Sequence, residues 1–157
     1  MNLKELAHFL VKAKCNAYAG DGKEIPSQRP GFKELEFKEG PWEYRDSYVG
    51  YFMAPGQEYV RYNGQIVWAM AYTGGMVEEY REDKNLAKQT FQFLKQALQK
   101  IEVSRPFRGP NSLSLGDWEY RDKSEGDITD FKGVEHIFYK GKEVFKQNYI
   151  GGVVLSK

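Results

Sequence analysis

The stretch Trp42-Glu43-Tyr44-Arg45-Asp46 decides the fold, because it returns unchanged as Trp118-Glu119-Tyr120-Arg121-Asp122. The first copy lies in residues 40–77, GPWEYRDSYVGYFMAPGQEYVRYNGQIVWAMAYTGGMV. The second lies in residues 116–154, GDWEYRDKSEGDITDFKGVEHIFYKGKEVFKQNYIGGVV. After one inserted residue following Asp130, the match continues through Gly56/Gly133, Glu58/Glu135, Tyr62/Tyr139, Gly64/Gly141, Val67/Val144, Tyr72/Tyr149 and the pairs Gly74-Gly75/Gly151-Gly152.

Each copy reads as strands. Asn63-Gly64 separates residues 58–62 from 65–72, and both turn residues tolerate the positive φ of a tight hairpin. Lys140-Gly141 takes the same place in the second copy. Ahead of the first copy, Leu3, Leu6, Phe9, Leu10 and Ala13 recur at helical spacing, with Asn2 as a cap and the lysines facing out. Ahead of the second, a helix starting at residues 83–85 keeps Leu86, Thr90, Phe93, Leu94, Ala97, Leu98 and Ile101 on one side. Residues 20–31 break the helix with glycine and proline and read as an exposed loop, and residues 50–56 as an irregular crossing. The expected class is α+β: a tandem duplication of a helix followed by about four antiparallel strands. The repeats, approximately 2–77 and 85–154, are expected to pack with pseudo-twofold symmetry as a single domain over 1–157.

Composition excludes several classes. The net charge is +1 with acids and bases interspersed, so nothing points to nucleic acid or to an anionic membrane surface. No apolar run approaches spanning length. A single cysteine, Cys15, rules out an internal disulfide framework and favours a reducing compartment. The N-terminus is interrupted by charge too often for a signal peptide. These readings imply a cytoplasmic protein. His8 and His136 lack partners at metal-ligand spacing, and neither glycine pair has the Lys-Ser/Thr of a phosphate loop. No metal, cofactor or catalytic residue is therefore assigned.

Along a strand, Trp42, Tyr44 and Asp46 point one way and Glu43 and Arg45 the other. Glu43 and Arg45 are expected to pair across strands on the outer face, because a motif kept in both halves serves the shared fold. A single site needs asymmetry instead. Tyr48, Tyr51 and Phe52 stand where the second copy has Ser124, Asp127 and Ile128, and Trp68 and Met70 where it has Phe145 and Gln147. Apolar walls with a few polar groups make ligand pockets, so the expected lining is Tyr48, Tyr51, Phe52, Trp68 and Met70, with Glu58 or Tyr72 orienting the ligand.

The segments WEYRDSYVGYF, GQEYVRYNGQIVWAMAY with Gly74-Gly75, RPFRGP, and DWEYRD through NYIGG resemble a bacterial and archaeal family known as domain of unknown function 5680. Many members resemble this one behind an XRE-type helix-turn-helix, which implies an effector-sensing or oligomerising role. Residues 2–15 already read as part of the domain, so a stand-alone form is expected here. The resemblance implies no activity and carries over no catalytic residue. The leading expectation is a binding or sensing domain for a small apolar or aromatic molecule. Its rivals are an enzyme with Glu43, Arg45, Asp46 or Glu58 in a cleft between the repeats, and a structural or protein-interaction module. A homodimer is left open.

Overall fold

The computed structural model describes residues 2–155. In chain order it contains α1 (Leu3–Asn16), β1 (Glu24–Ile25), β2 (Lys33–Glu39), β3 (Trp42–Tyr48), β4 (Gly56–Tyr62), β5 (Gln65–Met76), α2 (Lys84–Leu98), β6 (Ser112–Leu115), β7 (Trp118–Asp127), β8 (Asp130–Tyr139) and β9 (Lys142–Val153). The strands form one nine-stranded sheet in the order β1-β2-β3-β4-β5-β9-β8-β7-β6, antiparallel throughout. The class is α+β.

Local chemistry explains the elements. The Asn2 side chain accepts from the Lys4 amide at 2.9 Å, and that of Asp83 from the Leu86 amide at 2.9 Å, so both helices start on side-chain caps. Asn63-Gly64 and Lys140-Gly141 take φ values of 49° and 79°, and 49° and 76°, as two-residue hairpins demand. β5 runs on to Met76 instead of ending before Gly74-Gly75. The crossing at residues 50–55 docks on this extension, with the Ala54 amide donating to Gly74 at 2.9 Å and the Met76 amide to Phe52 at 2.7 Å. A Cβ at Gly75 would overlap the Phe52 carbonyl, which explains glycine there.

Both helices pack on one face of the sheet. Leu6, Phe9, Leu10 and Ala13 of α1 meet Leu35, Tyr44, Val60, Trp68 and Met70. Phe93, Leu94, Ala97 and Leu98 of α2 meet Tyr120, Ile137, Val144, Phe145 and Met76. The opposite, outer face holds register through charge: Arg45 donates to Glu36 at 2.6 Å and to Glu34 at 3.3 Å, and Arg61 donates to Glu43 at 2.7 Å. Arg45 is nonetheless buried there, beside a buried Glu34. One helix expectation is corrected. Lys14 does not face out; it is buried, because its position continues the stripe of Leu6 and Leu10 and its ammonium has an acid to meet beneath the helix.

Candidate functional site

The helix-facing side of the sheet centre is polar. Asp46 on β3, Glu58 on β4, Asp122 on β7 and Glu135 on β8 lie in phase with core residues such as Tyr44, Val60, Tyr120 and Ile137, and all four acids are buried. Carboxylates in such a place are costly unless paired and hydrogen-bonded. Lys14 pairs with Glu58 and donates to the Phe107 carbonyl at 2.8 Å. Arg108 forks onto Glu135 Oε1 at 3.0 and 2.7 Å and stands 3.5 Å from Glu58, so one guanidinium ties β4 to β8. Tyr120 and Gln147 complete Glu135 at 2.7 and 2.9 Å. Arg105 donates to Asp122 at 2.9 Å. The segment between Pro106 and Pro110 holds Arg108 in place, with the Gly109 amide donating to the Tyr120 hydroxyl at 3.0 Å.

Asp46 differs from the other three. It accepts the Tyr72 hydroxyl at 2.6 Å, and no cation among the described residues lies within ion-pair distance of it. Burial first, and then the neighbouring Glu58 carboxylate, push its pKa from the ordinary aspartate value up to about 7. Asp122, with Arg105 beside it, is pushed less, to about 6, again by burial and then by Glu135. Burial lowers the Lys14 ammonium, against the pull of Glu58.

A cleft of about 290 Å³ opens above Asp46. Asp46, Tyr72, Arg108 and Gln147 form its floor, and Tyr18, Tyr48, Tyr51 and Phe91 are its aromatic walls. Lys33, Lys88 and Lys95 also line it. Beneath lies a cavity of about 20 Å³ that shares Tyr18, Asp46 and Arg108 with the cleft and reaches Lys14 and Glu58. The cleft is near the lower end of the usual range for small-molecule sites, roughly 300–1,000 Å³.

Of the residues singled out from the sequence, Tyr48, Tyr51 and Tyr72 line this cleft. Glu58 sits one layer below. Phe52 packs edge-on against Tyr51 at 5.0 Å and towards the α2 core. Trp68 and Met70 are wholly buried in the α1 core, Trp68 stacked on Phe131 at 5.7 Å, and they do not reach the cleft. Glu43, Arg45, Asp46 and Glu58 do not form one cluster: the first two occupy the outer face and the last two the inner. Sequence reasoning missed Lys14, Tyr18, Phe91, Arg108 and Gln147. A signal existed for the cations. Glu58 and Glu135 alternate in phase with Val60 and Ile137, so their burial called for basic partners, and Lys14 lies in phase with the apolar stripe of its helix.

A family model described as Domain of unknown function (DUF5680) matches residues 46–154. The chain belongs to this family. The DUF5680 match opens on Asp46 and contains Glu58, Tyr72, Arg108, Glu135 and Gln147, so the floor of the cleft lies within it, whereas Lys14 and Tyr18 lie before it. No curated protein and no solved structure matches the chain. Among the described residues no helix is long and apolar enough to cross a membrane.

Proposed function

We propose that this DUF5680 chain is a cytoplasmic binding or sensing domain for a small aromatic molecule, which enters the cleft between Tyr18, Tyr48, Tyr51 and Phe91. The observation that carries this reading is the pairing of aromatic walls with a buried polar floor of Asp46 and Gln147 in one cleft. Recognition sites combine these features, with apolar area supplying affinity and a few fixed polar groups supplying orientation. A thermal-shift or ligand-observed NMR screen of small aromatic compounds tests it, repeated on Phe91→Ala. Hits should bind the wild-type chain and weaken several-fold on the variant. Hits that bind both equally would remove the cleft from consideration.

We also propose that the scaffold arose by tandem duplication, with a pseudo-twofold axis between Tyr72 and Tyr149. The strand order mirrors itself about the β5–β9 pair, in which these two tyrosines face each other. Both halves bulge at matching points, Val60/Arg61 and Ile137/Phe138. Gly50 and Gly126, also matched, take φ values of 95° and 89°. On this reading the cleft lies where the symmetry fails: Asp122 has Arg105, and the matching Asp46 has open space above it.

The enzyme alternative keeps one observation in its favour. Asp46 titrates near neutrality and touches a tyrosine hydroxyl inside a cleft, which suits a general base. Incubating screening hits with the protein and looking for product separates the two readings.

A further inference from the structure

The charges around the floor do not balance, and the imbalance falls on the cleft. Asp46, Glu58, Asp122 and Glu135 outnumber Lys14, Arg105 and Arg108 by one. Each cation is committed elsewhere: Lys14 to Glu58 and the Phe107 carbonyl, Arg108 to Glu135 and Glu58, Arg105 to Asp122 and Ser124. The carboxyl left over is Asp46, only 4% exposed, and it lines the cleft. Four of the elements packed around it contribute a charged or titratable group, and β2 sets the apolar Leu35 opposite it. Lys14 comes from α1, Glu58 from β4, Tyr72 from β5 and Arg108 from the segment after α2. Tyr48 follows on its own strand, and Tyr18 shares both cavities with it. None of these supplies a spare positive charge to Asp46.

Gln147 adds a second acceptor. Its amide nitrogen donates to Glu135 at 2.9 Å, which leaves the carbonyl oxygen for the cleft that the side chain lines. Beside the Arg108 guanidinium, whose charge Glu135 and Glu58 take up, the floor therefore offers a carboxylate and a carbonyl under tyrosine and phenylalanine rings, whose faces attract cations. The lysines of the cleft do not reverse this. Lys33 pairs with Glu24 at 3.4 Å and Lys95 with Asp21. Lys88 lies on the exposed side of α2, where water and salt screen it.

We infer that the ligand of this cleft is an arylalkyl amine or an aryl amidine whose protonated nitrogen sits on Asp46 and Gln147 while its ring lies among Tyr18, Tyr48, Tyr51 and Phe91. This rests on the small-molecule reading above and names the ligand's chemistry. The bound ammonium keeps its proton and replaces the proton of Asp46, which passes to the buffer. Aromatic cations then bind more tightly as pH rises through 7, and proton release accompanies binding.

Three matched probes test it: phenethylamine, 2-phenylethanol and 3-phenylpropionate, which are cationic, neutral and anionic. Titration calorimetry at pH 6, in two buffers of different ionisation heat, should find about one proton released per phenethylamine bound. At pH 8 phenethylamine should bind at least about tenfold more tightly than the alcohol, a difference of about 1.4 kcal/mol. Asp46→Asn should remove that preference, and Gln147→Met should weaken the amine several-fold without changing the fold. The second variant keeps the test alive if the first does not fold. Alcohol or carboxylate binding as tight as the amine would overturn the cation while sparing the small-molecule reading. Amine binding without proton release, or unaffected by either variant, would do the same. Failure of all three probes to bind would overturn both.

Discussion

Tyr72 on β5 reaches across β4 to donate its hydroxyl to Asp46 on β3 at 2.6 Å, and Tyr149 on β9 does the same across β8 to Asp122 on β7 at 2.9 Å. The ring crosses the intervening strand where that strand has a glycine. Gly56 lies opposite Tyr72, and Gly133 lies opposite Tyr149. A Cβ at either glycine would overlap the phenol above it. The repeated Gly, Tyr and Asp thus form one device, which fixes a buried acid by laying an aromatic ring over a bare strand.

Gly56→Ala should push Tyr72 off Asp46. Overpacking of this kind typically costs about 1–3 kcal/mol. Urea unfolding of Gly56→Ala and Gly133→Ala should reveal losses of this size for both. An unchanged midpoint in both would show that the rings shift without strain.

Asp46 holds its proton to about pH 7, whereas an unfolded aspartate loses it near pH 4. Between these values the folded state binds more protons, so this group's contribution to stability falls as pH rises, and the loss is complete above about pH 7. Asp46→Asn has no such proton to lose. Its stability relative to wild type should therefore climb from pH 4 to pH 8, by on the order of 3 kcal/mol. Chemical denaturation of both proteins across that range measures the difference; a flat difference would mean that Asp46 is ionised throughout.

Arg108→Ala leaves Glu135 and Glu58 without their shared guanidinium. Removing one partner of a buried pair costs about 3–5 kcal/mol. Adding Glu135→Gln should recover part of that loss, since the stranded charge is then gone. A double variant as unstable as the sum of the two singles would place the role of Arg108 in packing alone.

Trp42 and Trp118 are half-buried, stacked with Phe9 at 5.3 Å and Tyr139 at 4.4 Å respectively. Truncation to alanine should cost less than the roughly 3–5 kcal/mol of a fully buried tryptophan. Arg45→Ala, although on the outer face, should cost at least as much, because it strands the buried Glu34. Thermal melts of Trp42→Ala and Arg45→Ala decide the order.

By itself the sequence determined both helices, the hairpins and the face each residue of the WEYRD strands presents. Those features follow from short-range rules: caps, positive-φ turn residues and the two-residue alternation of a strand. It also carried the family resemblance, and it marked Tyr48, Tyr51 and Tyr72, which line the cleft. Only the tertiary structure decided that Trp68 and Met70 fill the core, that Lys14 turns inward, and that Arg108 joins Glu58 to Glu135. Glu58 and Glu135 lie on strands that the β5–β9 pairing brings to the sheet centre, and the loop after α2 delivers Arg108 between them. No local preference encodes that meeting. Nor does one encode the lone carboxyl of Asp46, with which no cation among the described residues pairs as Arg105 pairs with Asp122.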